Sequence, residues 1–74
     1  MPEEERRIAK EVLSSVLPYI AYPQELRERL EKGLQASENR DAFVENLKRT
    51  IADENDVTKK TDLRIFLAEF RRHV

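Results

Sequence analysis

The stretch Leu63-Arg64-Ile65-Phe66-Leu67-Ala68-Glu69-Phe70-Arg71-Arg72-His73-Val74 decides the fold class. Leu63, Phe66, Leu67, Phe70 and Val74 recur at steps of three and four. That spacing lines them up on one stripe of a helix with 3.6 residues per turn. A lone helix cannot hide such a stripe, so other apolar faces must cover it. Arg71, Arg72 and His73 complement the negative end of the helix dipole. Thr58 or Thr61 is the expected cap, giving a helix over about 58–73.

Moving toward the N-terminus, Glu54-Asn55-Asp56 reads as a polar turn. Before it, Phe43, Val44, Leu47 and Ile51 face one way on a helix over about 39–53, capped by Ser37 or Asn39. Leu26, Leu30 and Leu34 form a narrow i, i+4 stripe over about 23–35. Pro23 opens that helix where a missing N–H costs nothing. Glu25–Arg29 and Glu28–Lys32 are i, i+4 pairs in the favourable order, each worth about 0.2–0.5 kcal/mol. Gly33 either weakens the last turn by up to ~1 kcal/mol or permits a close helix crossing.

The first helix is expected over about 2–17. Pro2 suits its first turn and Glu3, Glu4 and Glu5 sit where the dipole favours anions. Ile8, Val12, Leu13, Val16 and Leu17 share a face, and Pro18 disfavours helical geometry at Leu17. Pro18-Tyr19-Ile20-Ala21-Tyr22-Pro23 is the least helical and most aromatic segment, a connection with room for one extra helical turn.

These readings predict an all-α fold: residues 1–74 as a single domain, a compact bundle of four helices with short loops. The expected core is Val12, Val16, Leu26, Leu30, Phe43, Leu47, Ile51, Phe66, Leu67 and Phe70. Stripes of unequal width suit an orthogonal bundle as well as an up-down one.

Charge narrows the function. Charged residues make up 39% of the chain, yet the formal net charge is -1. Both halves are balanced: six Lys/Arg and seven Asp/Glu in residues 1–35, eight of each in 36–74. A nucleic-acid binder normally shows a basic excess, so that class is disfavoured. No apolar run approaches a membrane span, and the first residues are acidic where a signal peptide would be basic. With no cysteine there is no disulfide framework, and cytoplasm is the expected compartment.

Residues that do chemistry are scarce. There is one histidine, no cysteine, no tryptophan and one glycine. The turn at Asp53–Asp56 fails as an EF-hand loop in either register. Counting from Asp53, Val57, Thr58 and Arg64 stand where an oxygen ligand, a glycine and a bidentate glutamate are required. Counting from Asp56, Lys60 and Leu67 fall on ligand positions. Ser14 and Ser15 have no base placed near them. His73 has only Glu69 at i−4 and reads as a dipole-stabilising helix end. No catalytic, cofactor or metal residue is expected.

Two binding surfaces are legible. Tyr19, Ile20 and Tyr22 lie in the proline-bracketed connection, and tyrosine is enriched at interfaces. Ile65 points away from its helix stripe. The competing reading is that Tyr19 and Ile20 close the bundle end. Lys59, Lys60, Arg64, Arg71 and Arg72 form the other group, interrupted in sequence by Asp62 and Glu69. The expectation is a non-catalytic module, a monomer with a homodimer as the alternative. It acts as a protein–protein interaction domain, or as a designed scaffold whose role is the fold itself. Helix-starting prolines, acidic first turns and Glu/Lys/Arg-rich surfaces suit the scaffold reading. Nucleic-acid binding by the basic ends of the last helix is the alternative.

Rejection of the calcium loop makes a first prediction. EDTA should leave the melting temperature unchanged. A calcium-dependent rise of several degrees would overturn the assignment of Asp53–Asp56 as a polar turn.

Overall fold

A computed structural model describes residues 1–73. Four helices follow one another: α1 (Glu3–Val16), α2 (Pro23–Ala36), α3 (Arg40–Asp53) and α4 (Val57–His73). A single 3-10 turn at Leu17–Tyr19 follows α1. No strand occurs among the described residues. The chain is an all-α four-helix bundle, with helix bounds within one or two residues of those the periodicity predicts. Val74, assigned above to the apolar stripe of the last helix, lies outside the described residues. None of the helices of the described residues is long and apolar enough to cross a membrane.

The 14-residue helices span about 21 Å each and α4 about 25 Å. The molecule measures 30 × 24 × 20 Å, so the helices lie packed side against side. α4 is the hub: it packs against α1 most extensively, then α3, and also touches α2. This follows from its stripe, which buries Leu63, Phe66, Leu67 and Phe70. Phe66 and Phe70 stack at 5.7 Å, and Phe43 of α3 meets them edge-on at 6.3 and 5.3 Å. All three rings are fully buried. Edge-to-face geometry sets the positive ring edge against the negative face, adding about 0.5–1.5 kcal/mol per pair beyond area burial.

Nine of the ten expected core residues are buried. Ile51 is the exception: it is only half-buried, packed on the core rim near the end of α3. Ala9, Leu34 and Leu63 are buried as well.

The helix ends depart from expectation in an instructive way. Asn39 caps α3 as expected, with Oδ1 accepting the Ala42 N–H at 2.9 Å. Ser37 is instead buried, and its Oγ accepts a hydrogen bond from Asn46 Nδ2 at 3.2 Å. Neither Thr58 nor Thr61 caps α4. Asp56 does so, its Oδ1 accepting the N–H groups of Thr58 and Lys59 at 2.9 and 3.0 Å. The Thr61 hydroxyl donates back to the Val57 carbonyl. A short carboxylate reaches two orphan N–H groups at once, which one hydroxyl facing its own preceding turn does not.

Salt bridges also differ. Glu25–Arg29 and Glu28–Lys32 are not formed. Glu25 pairs with Lys59 of α4 at 2.9 Å, and Arg29 with Glu54 at 2.5 Å. The weak Glu25–Arg29 pair gives way because each residue has a better-placed partner outside α2. On α1, Arg7 pairs with Glu4 and, at 2.7 Å, with Glu11.

Gly33 resolves in favour of close approach. A Cβ there would lie 3.1 Å from Cε1 and 3.5 Å from Cδ1 of Phe43. Phe43 packs edge-on against the stacked pair Phe66 and Phe70, so pushing its ring aside presses on both. Alanine would gain up to ~1 kcal/mol of helix propensity, but overpacking against Phe43 costs about 1–3 kcal/mol and outweighs it. Gly33→Ala is therefore expected to lower the melting temperature by a few degrees in a circular-dichroism melt. A rise of about 4–8 °C, the size of an uncompensated propensity gain, would show that the Phe43 ring is free to shift.

Candidate functional site

The proline-bracketed connection is held by an acid from a distant helix. Asp62 sits on α4 and is buried at 4% exposure. Its Oδ1 accepts the Ala21 N–H at 3.0 Å and its Oδ2 the Tyr22 N–H at 2.9 Å. Tyr22 is the residue before the first turn of α2, so Asp62 caps that helix from forty residues away. Pro23 has no N–H to offer, which leaves the two preceding donors to be satisfied. Both oxygens of a buried acid are thereby engaged, and a buried polar group without partners would be costly.

Around this joint the side chains interlock. The Lys59 ammonium pairs with Glu25 and lies 5.6 Å from the centre of the Tyr22 ring. The hydrogen bond to Glu25 holds Lys59 above its ordinary value against the opposing effect of desolvation. Glu54 is held below the usual carboxylate range, first by the Asp56 backbone N–H and then by Arg29. A depressed carboxylate stabilises the fold above its unfolded value, and that contribution fades as pH falls through the lowered one. The crevice lined by Tyr22, Glu25, Leu26, Arg29, Lys59, Asp62 and Leu63 holds only about 10 Å³. That admits at most one water. It is a packed joint and not a ligand pocket.

The same device recurs at α3. Glu5 of α1 accepts the Arg40 N–H on Oε1 at 3.1 Å. Two acids that read as surface charge in the sequence are thus helix caps supplied by another helix. Asp62 left a signal: it stands three and four residues before Ile65 and Phe66, at the edge of the buried arc. Glu5 left none beyond its place in an acidic first turn.

The structure divides the first candidate surface. Tyr19 is 75% exposed and Tyr22 45%. Ile20, proposed with them as a contact residue, is buried at 8% and belongs to the core. The 3-10 turn directs it inward, with the Ile20 N–H bonded to the Leu17 carbonyl at 3.1 Å. Ile65 is half-buried against the core and widens it, so it is no exposed anchor. Val57, at the start of α4, is 76% exposed.

The basic group is divided too. Lys59 is spent on Glu25 and Tyr22, joining one member of each candidate set. Arg72 pairs with Glu69 at 3.3 Å, as does His73. Arg64 and Arg71 are exposed and Lys60 is half-buried. Ser15 donates to the Val12 carbonyl, a structural role. Among the described residues no three acidic or histidine side chains gather as metal ligands. The larger hollows are surface grooves. One of about 380 Å³ runs along Ala21, Tyr22, Pro23, Gln24, Glu25 and Glu28, beside the tyrosine corner.

Residues 6–73 match the model of the MJ1579 family, and the chain belongs to that family. No curated protein and no solved structure matches it.

The Asp62 cap can be checked amide by amide. Asp62→Asn keeps the shape but turns an N–H donor toward one of the two backbone donors. The expected cost is about 1–3 kcal/mol, a fall in melting temperature of roughly 5–15 °C. Hydrogen exchange by NMR should accelerate at Ala21 and Tyr22 ahead of the core helices. Unchanged protection at both amides would remove Asp62 as the holder of this corner.

Proposed function

We propose that the chain is a non-catalytic helical module that docks on another protein through the corner carrying Tyr19 and Tyr22. The observation that carries this reading is the exposure of two aromatic side chains on a segment held fixed by Asp62. Aromatic rings presented on a rigid backbone lose little entropy on binding and supply the large apolar contacts on which interface energy concentrates. The groove beside Tyr22 offers a concave surface for a partner's side chain. Membership in a sequence family weighs against the designed-scaffold reading, since a family model describes related chains.

The chain has no tryptophan and only two tyrosines, so tyrosine fluorescence reports on this corner alone. A partner protein retained by the wild-type chain should bind Tyr19→Ser/Tyr22→Ser at least about tenfold more weakly in calorimetry with purified components. Binding should also change the tyrosine emission, and the double variant should keep its helical circular dichroism. Equal retention by both proteins, or no protein retained by the wild type over the variant, would overturn the reading.

A further inference from the structure

The acids that interrupt the basic residues of α4 in sequence are absent from its exposed face. Asp62 is turned into the corner below α2. Glu69 is half-buried and engaged by Arg72 and His73. Exposed along α4 are Val57, Thr58, Thr61, Arg64, Ala68 and the C-terminal Arg71, Arg72 and His73, with half-buried Lys60 beside them. At 100° per residue Lys60, Arg64 and Arg71 fall within 40° of one another, a stripe about 16 Å long. None of the three has an acidic partner among the described residues.

No other helix is like this. α1 exposes Glu3, Glu4 and Glu11, α2 exposes Glu28, and α3 exposes Asp41, Glu45 and Asp53. At its far end the stripe opens onto a groove of about 400 Å³ shared with Arg40, Asp41, Val44, Glu45 and Lys48. The two acids there are held by Arg40 at 3.5 Å and Lys48 at 3.7 Å, so Arg71 leaves the groove net positive.

We infer that the exposed face of α4 is a docking surface for the phosphate backbone of duplex nucleic acid. The stripe carries no aromatic side chain and, Val57 apart, no large apolar one. An apolar protein interface would need such an anchor at its centre. A single strand would need rings on which its bases stack. Cations along one helix, with the small side chains of Thr61 and Ala68 letting the helix approach closely, suit phosphate contacts that need neither. This surface is separate from the tyrosine corner, and neither reading depends on the other.

The test is fluorescence anisotropy of the full chain with a labelled duplex of mixed sequence, as DNA and as RNA, across a salt series. The overall charge of -1 gives no general attraction, so any binding must come from a local face. Weak binding on the order of 10⁻⁵–10⁻⁴ M is expected at low salt, with a log–log salt slope between about −2 and −3 for three phosphates. Arg64→Gln should reduce the slope by roughly 1. Lys60→Gln/Arg64→Gln/Arg71→Gln should abolish binding while keeping the circular dichroism of the wild type. Arg27→Gln/Lys32→Gln/Arg49→Gln removes as many cations elsewhere and should leave affinity and slope unchanged, as should Tyr19→Ser/Tyr22→Ser. Equal loss in the two triple variants, no binding at low salt, tighter binding of a single strand, or a preference for poly-glutamate over the duplex would each overturn the inference.

Discussion

Asp62 lies on the central helix and holds the start of another, and much of the rest is arranged around that tie. A helix beginning with proline has few ways to satisfy the donors just ahead of it. Here the solution comes from α4, whose buried stripe already contacts the other three helices. Because Asp62 precedes Phe66 by one helical turn, the cap and the aromatic cluster share one rigid support. The tie brings α2 in over the core with Leu26, Leu30 and Leu34 inward. Gly33 then comes within van der Waals reach of Phe43, which in turn rests on Phe66 and Phe70.

Use of acids as internal caps redistributes the charge of the whole molecule. Asp62, Glu5, Glu54 and Asp56 accept backbone N–H groups, and Glu25 and Glu54 hold cations from other elements. A near-neutral composition therefore conceals an uneven surface. The acids spent on backbone and cross-element contacts leave cations without partners on α4, while the other helices keep mixed faces. Net charge predicts the average field of a molecule, and a partner responds to the local one.

The amphipathic pattern was legible because it is local. Leu63, Phe66, Leu67 and Phe70 lie on one helix face whatever they pack against, and a buried face is what their spacing requires. The same holds for Leu26, Leu30 and Leu34, for Phe43 and Leu47, and for the prolines that mark where α1 stops and α2 starts. The connection holding the tyrosines was legible for a related reason: two prolines interrupt the α-helical pattern there. Between the two readings of Ile20, contact residue or closure of the bundle end, only the tertiary structure decides, because the inward step of one residue in a 3-10 turn has no periodicity to announce it. Ile51 was misread because phase alone does not say how far along a helix its neighbours extend.

Residue order by itself determined that this chain is all-helical, where its helices run and which stripes they bury, since a 3.6-residue period and proline's fixed backbone act within a few residues. Only the tertiary structure decided which acid caps which helix, which ion pairs form and which charges are left facing solvent. Those outcomes join residues about 25 to 41 positions apart. Each competes against local pairs worth only a few tenths of a kcal/mol, so geometry between helices settles them.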